Sequence, residues 1–89
     1  MDSNKLFVGG ISYSATHNDI KEEFSKYGKV ENIKVPISDE TGLIRGYCFI
    51  TMSSSEEASS IIEKLDGSKF MGRIIGVKPY KDKRNNGNR

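Results

Sequence analysis

A chain of 89 residues with 14 Lys and Arg, 12 Asp and Glu and a net charge of +2 describes one small domain with a thin core, and 35% hydrophobic residues argue against a large obligate interface. No stretch approaches the roughly 20 apolar residues of a membrane span, and Met1–Lys5 lacks the basic flank and apolar run of a signal peptide. One cysteine, Cys48, and one histidine, His17, form neither an intramolecular disulfide nor a structural zinc site, so the expectation is a cytoplasmic chain (or a nuclear one in a eukaryote) without cofactor or metal.

The charge is unevenly placed. Residues 78–89 carry five basic groups against Asp82, a net +4, which leaves −2 for residues 1–77. The expected organisation is therefore a nearly neutral domain over 1–80 and a basic tail over 81–89, whose Lys, Arg, Asn and Gly have nothing to bury.

In chain order, Lys5–Gly9 alternates, with Leu6 and Val8 on one side and Lys5 and Phe7 on the other, and predicts a strand ended by Gly9-Gly10. From Thr16 to Tyr27 the period changes: Ile20, Phe24 and Tyr27 stand at i, i+4, i+7. Thr16 and Asp19 have capping-box spacing, and Gly28 is placed to close the helix in a left-handed conformation. Asn32–Ile37 predicts a second strand, with Ile33, Val35 and Ile37 opposite Asn32, Lys34 and Pro36, followed by a polar turn over 38–42. Arg45–Met52 predicts a third, with Arg45, Tyr47, Phe49 and Thr51 on one face and Gly46, Cys48, Ile50 and Met52 on the other. Ser54 and Ser55 ahead of Glu56-Glu57 open a second helix, whose stripe is Ala58, Ile61, Ile62 and Leu65 and whose stop is Gly67. Ile74–Lys78 predicts the last strand, with Ile75 and Val77 inward and Lys78 outward.

Strand, helix, strand, strand, helix, strand is the order of an α+β, ferredoxin-like βαββαβ sandwich: a four-stranded antiparallel sheet with both helices on one face. In such a split arrangement the first and third strands are central neighbours. Phe7, Tyr47 and Phe49 then meet on the uncovered face, where a small domain shows clustered rings only if something binds there. Flat rings suit nucleobases, each stacked base contributing about 1–3 kcal/mol with little regard for identity, and Arg45 on the same side suits a phosphate.

These residues resemble the RNA-recognition motif. Leu6-Phe7-Val8-Gly9-Gly10-Ile11 is similar to its hexamer, and Arg45-Gly46-Tyr47-Cys48-Phe49-Ile50-Thr51-Met52 to its octamer, whose pattern is K/R-G-F/Y-G/A-F-V-x-F/Y. The resemblance extends from about Lys5 to Tyr80 and takes in Asp39, Thr41-Gly42, Leu65-Asp66-Gly67 and Gly72-Arg73. Cys48 and Met52 depart from the octamer, both at inward positions. The resemblance implies that Phe7 and Phe49 each stack a base, that Tyr47 lies against sugars, and that Arg45 pairs with phosphate. Lys5, Lys34, Lys78 and Tyr80 become margin contacts, and Gly9 and Gly76 permit close approach of nucleotide to backbone. The implied partner is single-stranded RNA, with single-stranded DNA as a second candidate, bound by a monomer that is not an enzyme. The short chain is similar to single-motif bacterial proteins and plant glycine-rich ones, with Phe70-Met71-Gly72-Arg73 nearer the bacterial group.

Other readings of the same residues remain open at this level. The ring face would also serve a protein-interaction module on the same fold, although relatives that bind peptides usually lose the rings and carry an Arg-x-Phe where this chain has Arg73-Ile74-Ile75. Lys5, Lys34 and Lys78 also fit simple solubility, Arg45 a solvated strand-end charge, and Tyr80 a cap on the core. Cys48 reads as a small core residue and His17 as exposed. Gly9-Gly10 lacks the rest of a dinucleotide fingerprint, and Asp39–Gly42 is too short for a calcium loop.

Overall fold

The computed structural model describes residues 4–80, so the segment expected to form a basic tail lies outside the described residues. In chain order the elements are β1 (Lys5–Gly9), α1 (His17–Ser25), β2 (Val30–Lys34), β3 (Tyr47–Met52), α2 (Ser55–Leu65), β4 (Lys69–Phe70), β5 (Arg73–Ile74) and β6 (Gly76–Pro79). The main sheet is antiparallel in the order β2-β3-β1-β6, with the hexamer and octamer strands at its centre as expected. Alternation does the sorting: Leu6, Val8, Cys48, Ile50, Met52 and Val77 turn to one face and are almost completely buried. Ile20 and Phe24 of α1 and Ala58, Ile61 and Leu65 of α2 cover them, so both helices lie on that face. No polar or charged residue is buried among the described residues.

Both helices start where their hydroxyls predict. Thr16 Oγ1 accepts from the Asp19 N–H at 3.1 Å while the Asp19 carboxylate accepts from the Thr16 N–H at 3.0 Å, a closed capping box worth about 1 kcal/mol. Ser54, the N-cap of α2, accepts from the Glu57 N–H at 3.1 Å. Beyond Leu65, the Asp66 carboxylate accepts from the Val77 N–H at 2.9 Å and ties the end of α2 to β6.

Four local expectations are corrected. α1 ends at Ser25 with Lys26 as its C-cap, and Gly28 does not take a left-handed conformation. Its lack of a side chain serves packing instead: a Cβ there would stand 3.1 Å from both Met52 Cε and Glu57 Cβ. The second strand is Val30–Lys34 rather than Asn32–Ile37. Glu31 is an extra residue in its ladder, so Val30 pairs with Met52 on the core side and Asn32 with Thr51 on the open side, although strict alternation would give them one face. Pro36 has no N–H to extend the ladder, and Ile37, expected inward, is 50% exposed in an isolated bridge to Ile44.

The third strand starts at Tyr47, not Arg45, because Gly46 at φ +93° turns the chain and breaks the alternation. The last strand is Gly76–Pro79, while Arg73 and Ile74 pair with Phe70 and Lys69 in a hairpin closed by Met71 and Gly72, both left-handed at φ 53° and 85°. Ile75 and Val77 are nonetheless inward, at 1% exposure each.

Candidate nucleic-acid interface

The pairing register assembles the open face in rows, since residues opposite each other in an antiparallel sheet project to the same side. Lys34 pairs with Phe49, Phe49 with Phe7, and Phe7 with Lys78. One row therefore runs Lys34, Phe49, Phe7, Lys78 across all four strands, with two rings at its centre and an ammonium on each edge strand. Three strand spacings of about 4.8 Å separate the two lysine backbones, roughly 14 Å in all. The row above is Tyr47, Gly9 and Gly76, and the row below is Asn32, Thr51 and Lys5. Tyr80 extends the lower row, its N–H donating to the Lys5 carbonyl at 2.9 Å.

The rings form one half-buried cluster. Centroids of Phe7 and Phe49 are 5.5 Å apart, and Tyr47 is 5.8 Å from each. Tyr80 stands 4.8 Å from Phe49 and so belongs to the ring face, not to a cap on the core. None of the pairs is parallel, with interplanar angles from 31° to 80°, so the rings meet in tilted and edge-to-face contacts rather than in a face-to-face stack. Gly9 keeps the Phe7 ring low on the sheet, since a Cβ at Gly9 would meet Phe7 Cε2 at 3.3 Å.

Seven of the eight residues singled out from the sequence converge on this face: Phe7, Tyr47, Phe49, Lys5, Lys34, Lys78 and Tyr80. Lys5, Lys34, Phe49, Thr51, Asn32, Tyr80 and the Ile50 segment line a shallow hollow of ≈ 210 Å³. Arg45 departs from them: beyond the turn at Gly46 it lines a second hollow with Tyr13, Ser38, Thr41, Leu43 and Ile44. Asn32 and Thr51 are open-face residues that the sequence reading left out of the site. Thr51 shares the parity of Tyr47 and Phe49, and Asn32 that of Lys34, which is a usable signal for both.

The core side of the same strand is inert. Cys48, between Tyr47 and Phe49, is fully buried, and burial pushes its thiol up to about 12, well away from a reactive thiolate. His17 is exposed at the first turn of α1.

A four-stranded antiparallel sheet that buries one face under two helices and presents rings bordered by lysines on the other has the geometry of a module for stacking single-stranded nucleic acid. The RNA recognition motif family model matches residues 6–76, and the chain belongs to that family. It is 44% identical over 87 residues to the mitochondrial glycine-rich RNA-binding protein 3 of Arabidopsis thaliana, covering 98% of this chain and 28% of that protein. Against RbpF of Nostoc sp., also named for RNA binding, identity is 40% over 82 residues, covering 92% of this chain and 78% of that one. The chain thus spans about a quarter of the length of the plant relatives and most of the cyanobacterial ones. Among solved structures, the Rna15 RRM with bound RNA (GU) superposes with a TM-score of 0.84 at 28% identity, over 90% of this chain and 85% of that one.

Proposed function

We propose that this chain, acting as a monomer, binds single-stranded RNA across the open face of its sheet, with bases stacked on Phe7 and Phe49, sugars against Tyr47, and phosphates drawn to Lys5, Lys34, Lys78 and Arg45. The observation that carries the reading is the Lys34-Phe49-Phe7-Lys78 row, which complements what a nucleotide strand offers: rings for its flat bases and, at either side, positive charge for its phosphates. Family membership, relatives named for RNA binding and a neighbour solved with RNA support it. Two or three stacked bases at about 1–3 kcal/mol each, less the cost of ordering the strand, put the affinity near micromolar.

In this reading residues 1–80 are the binding domain and residues 81–89 a basic extension that adds contacts to phosphate. The domain acts by binding rather than catalysis, in keeping with a buried, high-pKa Cys48 and an isolated His17. The location proposed is the cytoplasm, or the nucleus in a eukaryote; among the described residues no helix is long and apolar enough to cross a membrane, and the two plant relatives are named as mitochondrial. Fluorescence anisotropy with short RNAs tests the assignment: Phe7→Ala and Phe49→Ala each weaken binding at least tenfold with the fold retained by circular dichroism. Wild-type affinity in both variants would overturn it, and single-stranded DNA as competitor measures the preference for RNA.

A further inference from the structure

Tyr80 reaches Phe49 from a strand that is not its neighbour. The residue follows β6, its N–H donating to the Lys5 carbonyl at 2.9 Å, whereas Phe49 belongs to β3, and β1 lies between the two strands. Two strand spacings amount to roughly 10 Å. The ring centroids nevertheless stand 4.8 Å apart, the shortest separation in the ring cluster, so the Tyr80 side chain lies across β1 instead of standing off the sheet. It closes one wall of the hollow that Asn32, Lys34 and Thr51 line from the β2 and β3 side. Of the six exposed large apolar side chains among the described residues, Tyr80 is the most covered, at 36% exposure.

This contact and a base held between the same two rings exclude each other. Carbon atoms in contact stand about 3.5 Å apart, so a base sandwiched between two rings separates their planes by about 7 Å. At 4.8 Å, with the planes tilted by 49°, Phe49 and Tyr80 already fill each other's contact surface on that side. The backbone does not carry the ring away, because the bond to Lys5 holds Tyr80 and Pro79 fixes φ in the residue before it. Rotation about the Tyr80 χ1 bond is therefore the movement that uncovers Phe49.

We propose that Tyr80 is a gate on the ring face: without RNA its ring covers Phe49, and a base takes that place only when the Tyr80 side chain rotates away. The inference rests on the reading of the open sheet as a single-stranded RNA interface, and it adds a closed state in which the chain itself covers a stacking ring. Covering the ring has a physical use, since an exposed apolar cluster also attracts partners that bring no base. A strand that does bring one exchanges a ring contact for another. The effect falls on affinity: binding weakens by the fraction of chains in the open state, and a ring pair of this kind favours the closed state about two- to tenfold. Tyr80 therefore acts with the opposite sign to a margin contact, which would add to stacking.

Anisotropy titrations of the whole chain with a random-sequence RNA of eight nucleotides test the gate, using wild type, Tyr80→Ala, Tyr80→Phe, Phe49→Ala and the variant carrying both alanines. Tyr80→Ala is expected to tighten binding about two- to tenfold and Tyr80→Phe to bind like wild type. The double variant is expected to bind like Phe49→Ala, because without Phe49 the Tyr80 ring has nothing to cover. Circular dichroism checks that each variant keeps the fold. Unchanged affinity of Tyr80→Ala overturns the gate, and weakened affinity overturns it by making Tyr80 a contact to RNA. Nuclear Overhauser contacts between the Phe49 and Tyr80 rings give a second reading: they are expected without RNA and lost at saturation, and their persistence in the complex overturns the gate. If Phe49→Ala is weakened while Tyr80→Ala is not tightened, the sheet reading stands without the gate; if Phe49→Ala binds like wild type, both fall.

Discussion

The two faces of the central sheet are built from the same strands and differ by a single step along the chain. Phe7 lies between Leu6 and Val8, and Cys48 between Tyr47 and Phe49, yet one set is buried under helices and the other half-exposed to water. The difference continues into charge. The two helices together carry six carboxylates and two lysines, whereas the open-face rows carry Lys5, Lys34 and Lys78 and no acid, Glu31 being displaced into the bulge. A nearly neutral domain is thus polarised, with its acidic layer turned away from the lysine-bordered ring face. Weak net charge and a nucleic-acid interface are compatible because the sheet keeps the two populations apart.

The largest contrast concerns reactivity within β3. With the Cys48 thiol pushed from 9.0 up to about 12 by burial, its thiolate fraction at pH 9 falls by about three orders of magnitude. The folded protein is therefore expected to resist iodoacetamide at that pH while the urea-unfolded chain reacts promptly. Because the folded form holds this proton more tightly than the unfolded form, the associated stability is complete below about pH 9 and is lost as pH rises toward 12. Rapid alkylation under native conditions would show that the core side opens readily.

Substitution at neighbouring positions breaks the comparison more directly. Leu6→Ala empties a fully buried site and is expected to cost about 2–5 kcal/mol in urea denaturation. Phe7→Ala, one residue on, should lower RNA affinity at least tenfold and shift the denaturation midpoint much less. Thr16→Ala removes the capping box on the helical layer and should cost about 1 kcal/mol of stability with RNA affinity unchanged. The smallest effect belongs to the basic groups at the margins. Lys34→Ala and Lys78→Ala should each reduce the slope of log K against log salt by about 0.7, and deletion of residues 81–89 by about 0.7 for every phosphate that segment neutralises. An unchanged slope would remove the altered residue or segment from the phosphate path.

The ring cluster was legible because a period of two is a local property: once Phe7, Tyr47 and Phe49 are placed on strands, their side follows from the pleat, and the register only has to bring the strands together. Thr16 with Asp19, and Ser54, were legible for the same reason, since a cap satisfies backbone groups three residues away. The positions that escaped depend on interruptions of the period. The bulge at Glu31 reverses the phase at the start of β2 and brings Val30 to the core side, out of step with Asn32 and Lys34. The turn at Gly46 removes Arg45 from the row of Tyr47 and Phe49 and places it with Tyr13. At Gly28 the constraint is the approach of Met52 and Glu57 rather than a left-handed turn, and no local pattern reveals it.

The sequence by itself determined the order of the two helices and the four strands of the main sheet, the core side and ring side of β1 and β3, and the helix starts, because each arises from interactions within a few residues. Only the tertiary structure decided that Lys34, Phe49, Phe7 and Lys78 share one row, that Tyr80 joins the rings, and that Tyr13 and Arg45 border one hollow. Those placements depend on register, on a bulge and on a left-handed glycine, each of which is set by the packing of strands far apart in the chain.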